Sequence, residues 1–142
     1  MSEADRERIF LYGTLRRGGS RDVLKHYDGA TFVVSAQVRG VLYDLGEYPG
    51  VRLDRSAGWV RGELFDVTAE GMAALDDWEG IDPQAPGDGP YRRVRALVER
   101  DDDAPDVCWI YEIAKQRCAD RPIIASGDWI AHDAARDHGS HG

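Results

Sequence analysis

The sequence predicts an α+β domain built on a mainly antiparallel sheet. Strand-type segments outnumber helical ones and do not alternate regularly with them, which excludes a doubly wound parallel sheet. In the run Trp59 to Val67, one face carries Trp59, Arg61, Glu63 and Phe65, and the other Val60, Gly62, Leu64 and Asp66. Neither face is wholly apolar, so a barrel or partly open sheet fits better than a strand buried on both sides. At 142 residues, 42% apolar and 31% charged, the chain reads as one globular domain, residues 1–142. That length supports a core without disulfide or metal staples.

The elements follow in order. Residues 1–7 are polar and expected to be loose. Arg8 to Tyr12 reads as a first strand, and Ser20 as the cap of a short helix from Arg21 to Tyr27. Residues 31–43, rich in β-branched side chains, form one or two strands, with Gly40 as a candidate bulge or point of close approach. Tyr48-Pro49-Gly50 signals a turn, Val51 to Leu53 a short strand, and Trp59 to Val67 a longer one. Thr68 caps a helix from Ala69 to about Trp78, which Gly80 stops. Ile81 to Pro90 holds three prolines and two glycines and reads as a loop, long enough to be a lid. Tyr91 to Glu99 and Val107 to Ile113 are strands, and Pro122 to Ile124 is a short extended piece. Asp128 or Ser126 starts a last helix to about Arg136, and residues 137–142 form a solvated tail.

Charge and composition exclude several classes. A formal net charge of −8 repels nucleic-acid phosphate and anionic lipid. The short basic patch Arg16, Arg17 and Arg21 has no aromatic interleaving. No leading segment has the pattern of a signal peptide, and no apolar run approaches the length of a bilayer span. The two cysteines make no disulfide framework, so reduced thiols in a cytoplasmic setting are expected, Cys108 buried and Cys118 exposed. His132, His138 and His141 with Asp133 and Asp137 lack the spacing of a two-histidine helical metal site, so no metal is expected. Asp101 to Asp103 reads as a solvated turn. The four tryptophans read as core.

The chemistry points to two places. The apolar run Ile9 to Tyr12 stops at Gly13-Thr14, where a strand ending in a glycine turn exposes backbone N–H groups able to hold a carboxylate or an oxyanion. An ordinary strand end is the alternative. The second place is Glu79. With Met72 at zero and about 100° per residue, Leu75 falls near 300° and Glu79 near 340°, whereas Asp77 falls near 140°. Glu79 therefore lies within the apolar stripe of its helix. Burial raises the proton affinity of a carboxylate, and the negative end of the helix dipole opposes ionisation further. Both effects suit an acid–base residue near neutral pH. Position alone leaves open a frayed last turn with the carboxylate in water.

Taken as an ordered set, the motifs resemble the gamma-glutamylcyclotransferase-like family. Tyr12-Gly13-Thr14-Leu15-Arg16 is similar to its N-terminal motif, and Val38 to Gly46 with Tyr48-Pro49-Gly50 to its second block. Val60 to Phe65, Leu75 to Gly80, Tyr91-Arg92-Arg93, Trp109-Ile110-Tyr111 and Ser126 to Trp129 follow in the family's order. The likeness is greatest to the short gamma-glutamylamine cyclotransferase branch. The resemblance implies a small six-stranded β-barrel with flanking helices and a cavity at one end. It implies substrate held by the N–H groups of Gly13, Thr14 and Leu15, Glu79 as catalytic acid–base, and Tyr12, Tyr91 and Tyr111 lining the pocket. The implied activity is release of 5-oxoproline from a small γ-glutamyl substrate without metal or cofactor. A non-catalytic binder of γ-glutamyl or amino-acid ligands is the alternative. The proline-rich insertion between Gly80 and Tyr91 and the histidine-containing tail depart from the family pattern. The leaving amine and the oligomeric state are not legible in the sequence.

Overall fold

The structure is a computed structural model that describes residues 6–26, 29–82, 84–85 and 88–140, leaving aside the side chains of 26 and 136–140. Its strands are β1 (Arg6–Leu11), β2 (Ala30–Asp44), β3 (Pro49–Leu53), β4 (Trp59–Thr68), β5 (Tyr91–Arg100) and β6 (Asp106–Ile113). The helices are α1 (Val23–His26), α2 (Ala69–Trp78) and α3 (Trp129–Ser140). β1 begins at Arg6, inside the stretch expected to be loose, because it pairs with β4 from Arg6↔Thr68 onward. The α3 backbone runs on to Ser140, beyond the expected stop near Arg136. Residues 1–5 and 141–142 of the two expected tails lie outside the described residues.

The strands close into a small mixed barrel. β1 lies antiparallel to β4, β4 to β2, β2 to β5 and β5 to β6, and a parallel β1–β6 pairing seals the ring. The long β2 divides its second edge: Ala36 and Gln37 face β5, while Gly40 to Asp44 face β3. β3 thus fills the gap between the diverging β2 and β6, meeting β6 in parallel at Val51↔Glu112. The sheet is mainly antiparallel, as expected, with parallel contacts only along β6. The bulge in β2 falls between Phe32 and Val34, while Gly40 pairs in register with Leu53 and is a close approach, where a Cβ would lie 2.8 Å from Arg52 O. Pro49-Gly50, expected as a turn, opens β3 because Asp44 and Tyr43 pair with it.

Side-chain alternation gives the barrel two apolar layers. Phe10, Val38, Leu42, Val60, Leu64 and Ile110 form one cluster with Trp129 of α3. Ile9, Leu11, Phe65 and Val67 point the other way, into a second cluster with Met72 and Leu75 of α2. Each such fully buried side chain stabilises the fold by about 1.5–3 kcal/mol. The Thr68 hydroxyl accepts from Gly71 N–H at 3.0 Å and caps α2 as anticipated. α3 starts after Asp128, whose carboxylate accepts from Ala131 N–H at 3.2 Å. Asp22, not Ser20, organises the start of α1, accepting from Leu24 N–H at 3.0 Å and Gly18 N–H at 2.9 Å; Tyr27 lies outside the described residues. Cys118 is buried rather than exposed, because a 3-10 turn over Lys115–Cys118 folds it into the second cluster. No helix among the described residues is long and apolar enough to cross a membrane.

Candidate active site

The end of β1, the C-terminus of α2 and the first residue of β5 converge on one cavity of about 620 Å³. Tyr12, Gly13, Thr14, Leu15, Glu79, Tyr91 and Tyr111 all line it. Residues predicted from segments far apart in the sequence therefore share one wall. Ser20, Arg21, Glu47, Tyr48, Pro49 and Trp78 also line the cavity, residues to which the sequence patterns assigned no place in the site.

Glu79 reaches the cavity through the way α2 ends. Gly80, at φ +79°, takes the left-handed conformation that residues with a Cβ avoid. Gly80 N–H then donates to Asp77 O at 3.1 Å, and Ile81 N–H to Asp76 O at 2.9 Å. This paired closure satisfies the last carbonyls of the helix. It fixes Glu79 as the C-cap, its own N–H still donating to Leu75 O at 2.9 Å. The side chain keeps some exposure because it faces the cavity, with protein packed around its other sides. Burial, and then the nearby charge of Asp76, push its carboxyl from the ordinary 4.5 up to about 7. A frayed, solvated last turn is not what α2 forms.

The turn after β1 is held from behind. Among the described residues, the N–H groups of Gly13, Thr14 and Leu15 meet no acceptor. Their carbonyls are occupied: Gly13 O by Arg16 N–H at 3.1 Å, Thr14 O by Arg21 N–H at 2.9 Å, and Leu15 O by Val23 N–H at 2.9 Å. Glu63, buried on β4, accepts from Arg17 N–H at 2.8 Å and pairs with the Arg17 guanidinium at 3.3 Å. Arg16 pairs with Asp128 at 2.9 Å. Of the arginines that looked like a basic patch, Arg16 and Arg17 thus anchor the turn through these carboxylates, whereas the exposed Arg21 side chain lies against Trp78. A turn whose carbonyls are tied and whose N–H groups are free is preorganised for an anion or a developing negative charge.

Three tyrosines shape the wall. Tyr12 donates to Tyr111 O at 2.5 Å and accepts from Val51 N–H at 3.2 Å. Tyr91 donates to Pro49 O at 2.6 Å, and Tyr111 to Asp76 at 2.7 Å. Burial is the main cause holding all three phenols above their ordinary range, so they remain neutral donors near pH 7. The tryptophans divide. Trp129 is core, but Trp78 is 43% exposed at the rim, with the Arg21 guanidinium 4.1 Å from its ring centroid. Trp109 carries Arg93 and Arg95 on its faces, and Trp59 carries Arg39. His132 sits outside the cavity, its Nε2 2.8 Å from Asp44; the side chains of His138 and His141 are not described. Gly80 and Pro90 bring the two ends of the proline-rich insertion to the cavity wall.

A small mixed barrel thus brings to one cavity a carboxyl of raised proton affinity and a turn with free backbone donors. The chain matches the family described as gamma-glutamyl cyclotransferase, AIG2-like, over residues 9–131, and it belongs to that family. A provisionally named gamma-glutamylcyclotransferase of Vibrio cholerae is 30% identical over 85% of this chain and 93% of its own. Another, of Halalkalibacterium halodurans, is 32% identical over 66% of this chain and 80% of its own. Among solved structures, an AIG2-like protein of Mus musculus superposes with a TM-score of 0.64 at 26% identity, over 82% of this chain and 84% of that one. YkqA of Bacillus subtilis shares the fold at TM-score 0.72 and 22% identity; this chain is spanned over 94% and covers 43% of that longer protein.

Proposed function

We propose that this chain is a cyclotransferase that converts a γ-glutamyl amine or amide into 5-oxoproline and a free amine. The observation that carries the reading is Glu79, a carboxyl with proton affinity near neutrality, in the same cavity as the free N–H groups of Gly13 to Leu15. The ordered motifs from Tyr12 to Trp129 support the gamma-glutamylamine type of substrate.

The reaction is intramolecular. The substrate's α-amino nitrogen attacks its own γ-carbonyl carbon, a C–N bond forms, and the bond to the leaving nitrogen breaks. Holding nitrogen and carbonyl in near contact removes much of the barrier. Ionised Glu79 takes the proton that the α-ammonium must lose and then gives one to the departing amine, so one group serves both steps. The free N–H groups of the turn bind either the oxyanion or the substrate carboxylate; a single oxyanion donor is worth about 3 kcal/mol. The neutral phenols of Tyr12, Tyr91 and Tyr111 confine the folded substrate. The step uses no cofactor, and the buried thiols of Cys108 and Cys118 fit a reducing compartment.

The test is a mass-spectrometric panel of γ-glutamyl compounds, following 5-oxoproline with wild type and Glu79→Gln in parallel. The expected result is release by wild type and none by the variant, with the fold retained. Near-normal turnover by Glu79→Gln overturns the assignment.

A further inference from the structure

The carboxyl one turn before the proposed acid has an unusual set of partners. Asp76 Oδ1 accepts from Tyr111 Oη at 2.7 Å and from Arg93 Nε at 2.9 Å, and Oδ2 accepts from Arg93 Nη2 at 3.1 Å. Arg93 and Tyr111 are cross-strand partners of β5 and β6. One carboxylate therefore ties α2 to two strands, and one of its two partners is a residue of the cavity wall. Asp76 and Arg93 are themselves mostly covered, at 20% and 23% side-chain exposure, so the bidentate pair is shielded from competing water. The same Asp76 also supplies the main-chain carbonyl that Ile81 N–H closes on. Residues three apart on a helix share a flank, which places the Asp76 side chain beside Glu79.

We infer that Asp76 is a positioning residue for Glu79: its bonds to Tyr111 and Arg93 fix the last turn of α2 against the cavity wall, and its charge faces the acid. This rests on the acid–base reading of Glu79. The groups facing Glu79 are Asp76 on its own helix, Tyr12 after β1, Tyr91 on β5 and Tyr111 on β6, with Arg21 and Glu47 on the same lining. The tyrosines are neutral near pH 7, so Asp76 is the adjacent charge that favours the protonated acid. Asp76 also keeps Tyr111 in place, and Tyr111 O in turn holds the Tyr12 hydroxyl at 2.5 Å.

The experiment reads the Glu79 carboxyl itself. Protein labelled with ¹³C at glutamate carboxyls is titrated by NMR, with the resonance assigned from its loss in Glu79→Gln. The Asp76→Asn variant keeps an acceptor for Tyr111 but removes the charge and leaves Arg93 uncompensated. Its Glu79 midpoint is expected to fall below that of wild type, and the acid limb of kcat/KM to move to lower pH with it. Arg93→Gln leaves the Asp76 carboxylate without its ion-pair partner, so its charge acts on Glu79 uncompensated and the midpoint is expected to rise. If Asp76→Asn does not fold, Arg93→Gln decides alone. Unchanged midpoints in the folded variants overturn the inference. Shifted midpoints without 5-oxoproline release by wild type would uphold the coupling and remove the cyclotransferase reading instead.

Discussion

Replacing Glu79 by Gln is expected to stabilise the protein while abolishing its chemistry, and the gain must depend on pH. A carboxyl whose pKa is raised in the folded chain binds its proton more tightly there than in the unfolded chain. Its favourable contribution is present below about 4.5 and is lost progressively as the pH climbs through about 7. The gap between those two values corresponds to a cost of at most about 3 kcal/mol at pH 8, part of it screened by water at the cavity mouth. At pH 5 the cost is under about 1 kcal/mol by the same relation. Glutamine has nearly the same shape and no charge, so the variant escapes the cost at both pH values. In a domain of this size, Glu79→Gln should melt roughly 6–10 °C above wild type at pH 8 and within about 3 °C of it at pH 5. Thermal unfolding followed by circular dichroism measures both. Equal differences at the two pH values, or a variant less stable at pH 8, would refute the claim that Glu79 is buried with a raised proton affinity.

Two further outcomes follow from packing. Cys108, whose thiol burial pushes up to about 12, and Cys118, raised for the same main reason, should resist iodoacetamide at pH 8 in native protein and react fully in urea. Intact mass reads the adducts, and rapid native labelling of Cys118 would show that its 3-10 turn opens readily. Gly62→Ala should destabilise the barrel by about 3 kcal/mol or more, because the added Cβ runs into the Phe10 ring and the Leu11 carbonyl, and a backbone carbonyl in a paired strand cannot move aside. Urea unfolding measures it, and a loss under about 1 kcal/mol would show that the strand yields to the added methyl.

What sequence reveals and what it hides separate along a physical line. Glu79 was legible because helical periodicity and a Gly stop are local signals, and the structure keeps both. The turn at Gly13 to Leu15 was legible because a β-run ending in glycine is local too. Asp76 was not, since its partners lie 17 and 35 residues away and meet it only through the β5–β6 register. Glu63 was hidden for the same reason: it read as one residue of a mixed strand face, and only the fold brings Arg17 to it across 46 residues. Trp78 shows a prior overruled by position. Tryptophan is usually interior, yet on the wheel Trp78 falls near 240° from Met72, at the edge of the stripe, and there it meets Arg21 at the cavity rim.

The cost of a buried acid explains why α2 ends as it does. A glutamate at a frayed helix end would swing outward, recover its hydration and lose its raised proton affinity. Here that motion would break the Ile81 N–H bond to Asp76 O, draw Gly80 out of its left-handed turn, and strain the ion pair of Asp76 with Arg93. Each bond is worth about 1 kcal/mol, and those to charged groups about 1.5–3 kcal/mol. Together they match or exceed the roughly 3 kcal/mol that solvating Glu79 would return at pH 8. The helix end is therefore held shut by the Gly80 turn and the Asp76–Arg93 pair rather than by Glu79 itself. Opening the Gly80 turn itself should relax the acid toward ordinary carboxylate behaviour before it unfolds the barrel, because the core of Phe10, Leu64 and Ile110 does not depend on that turn.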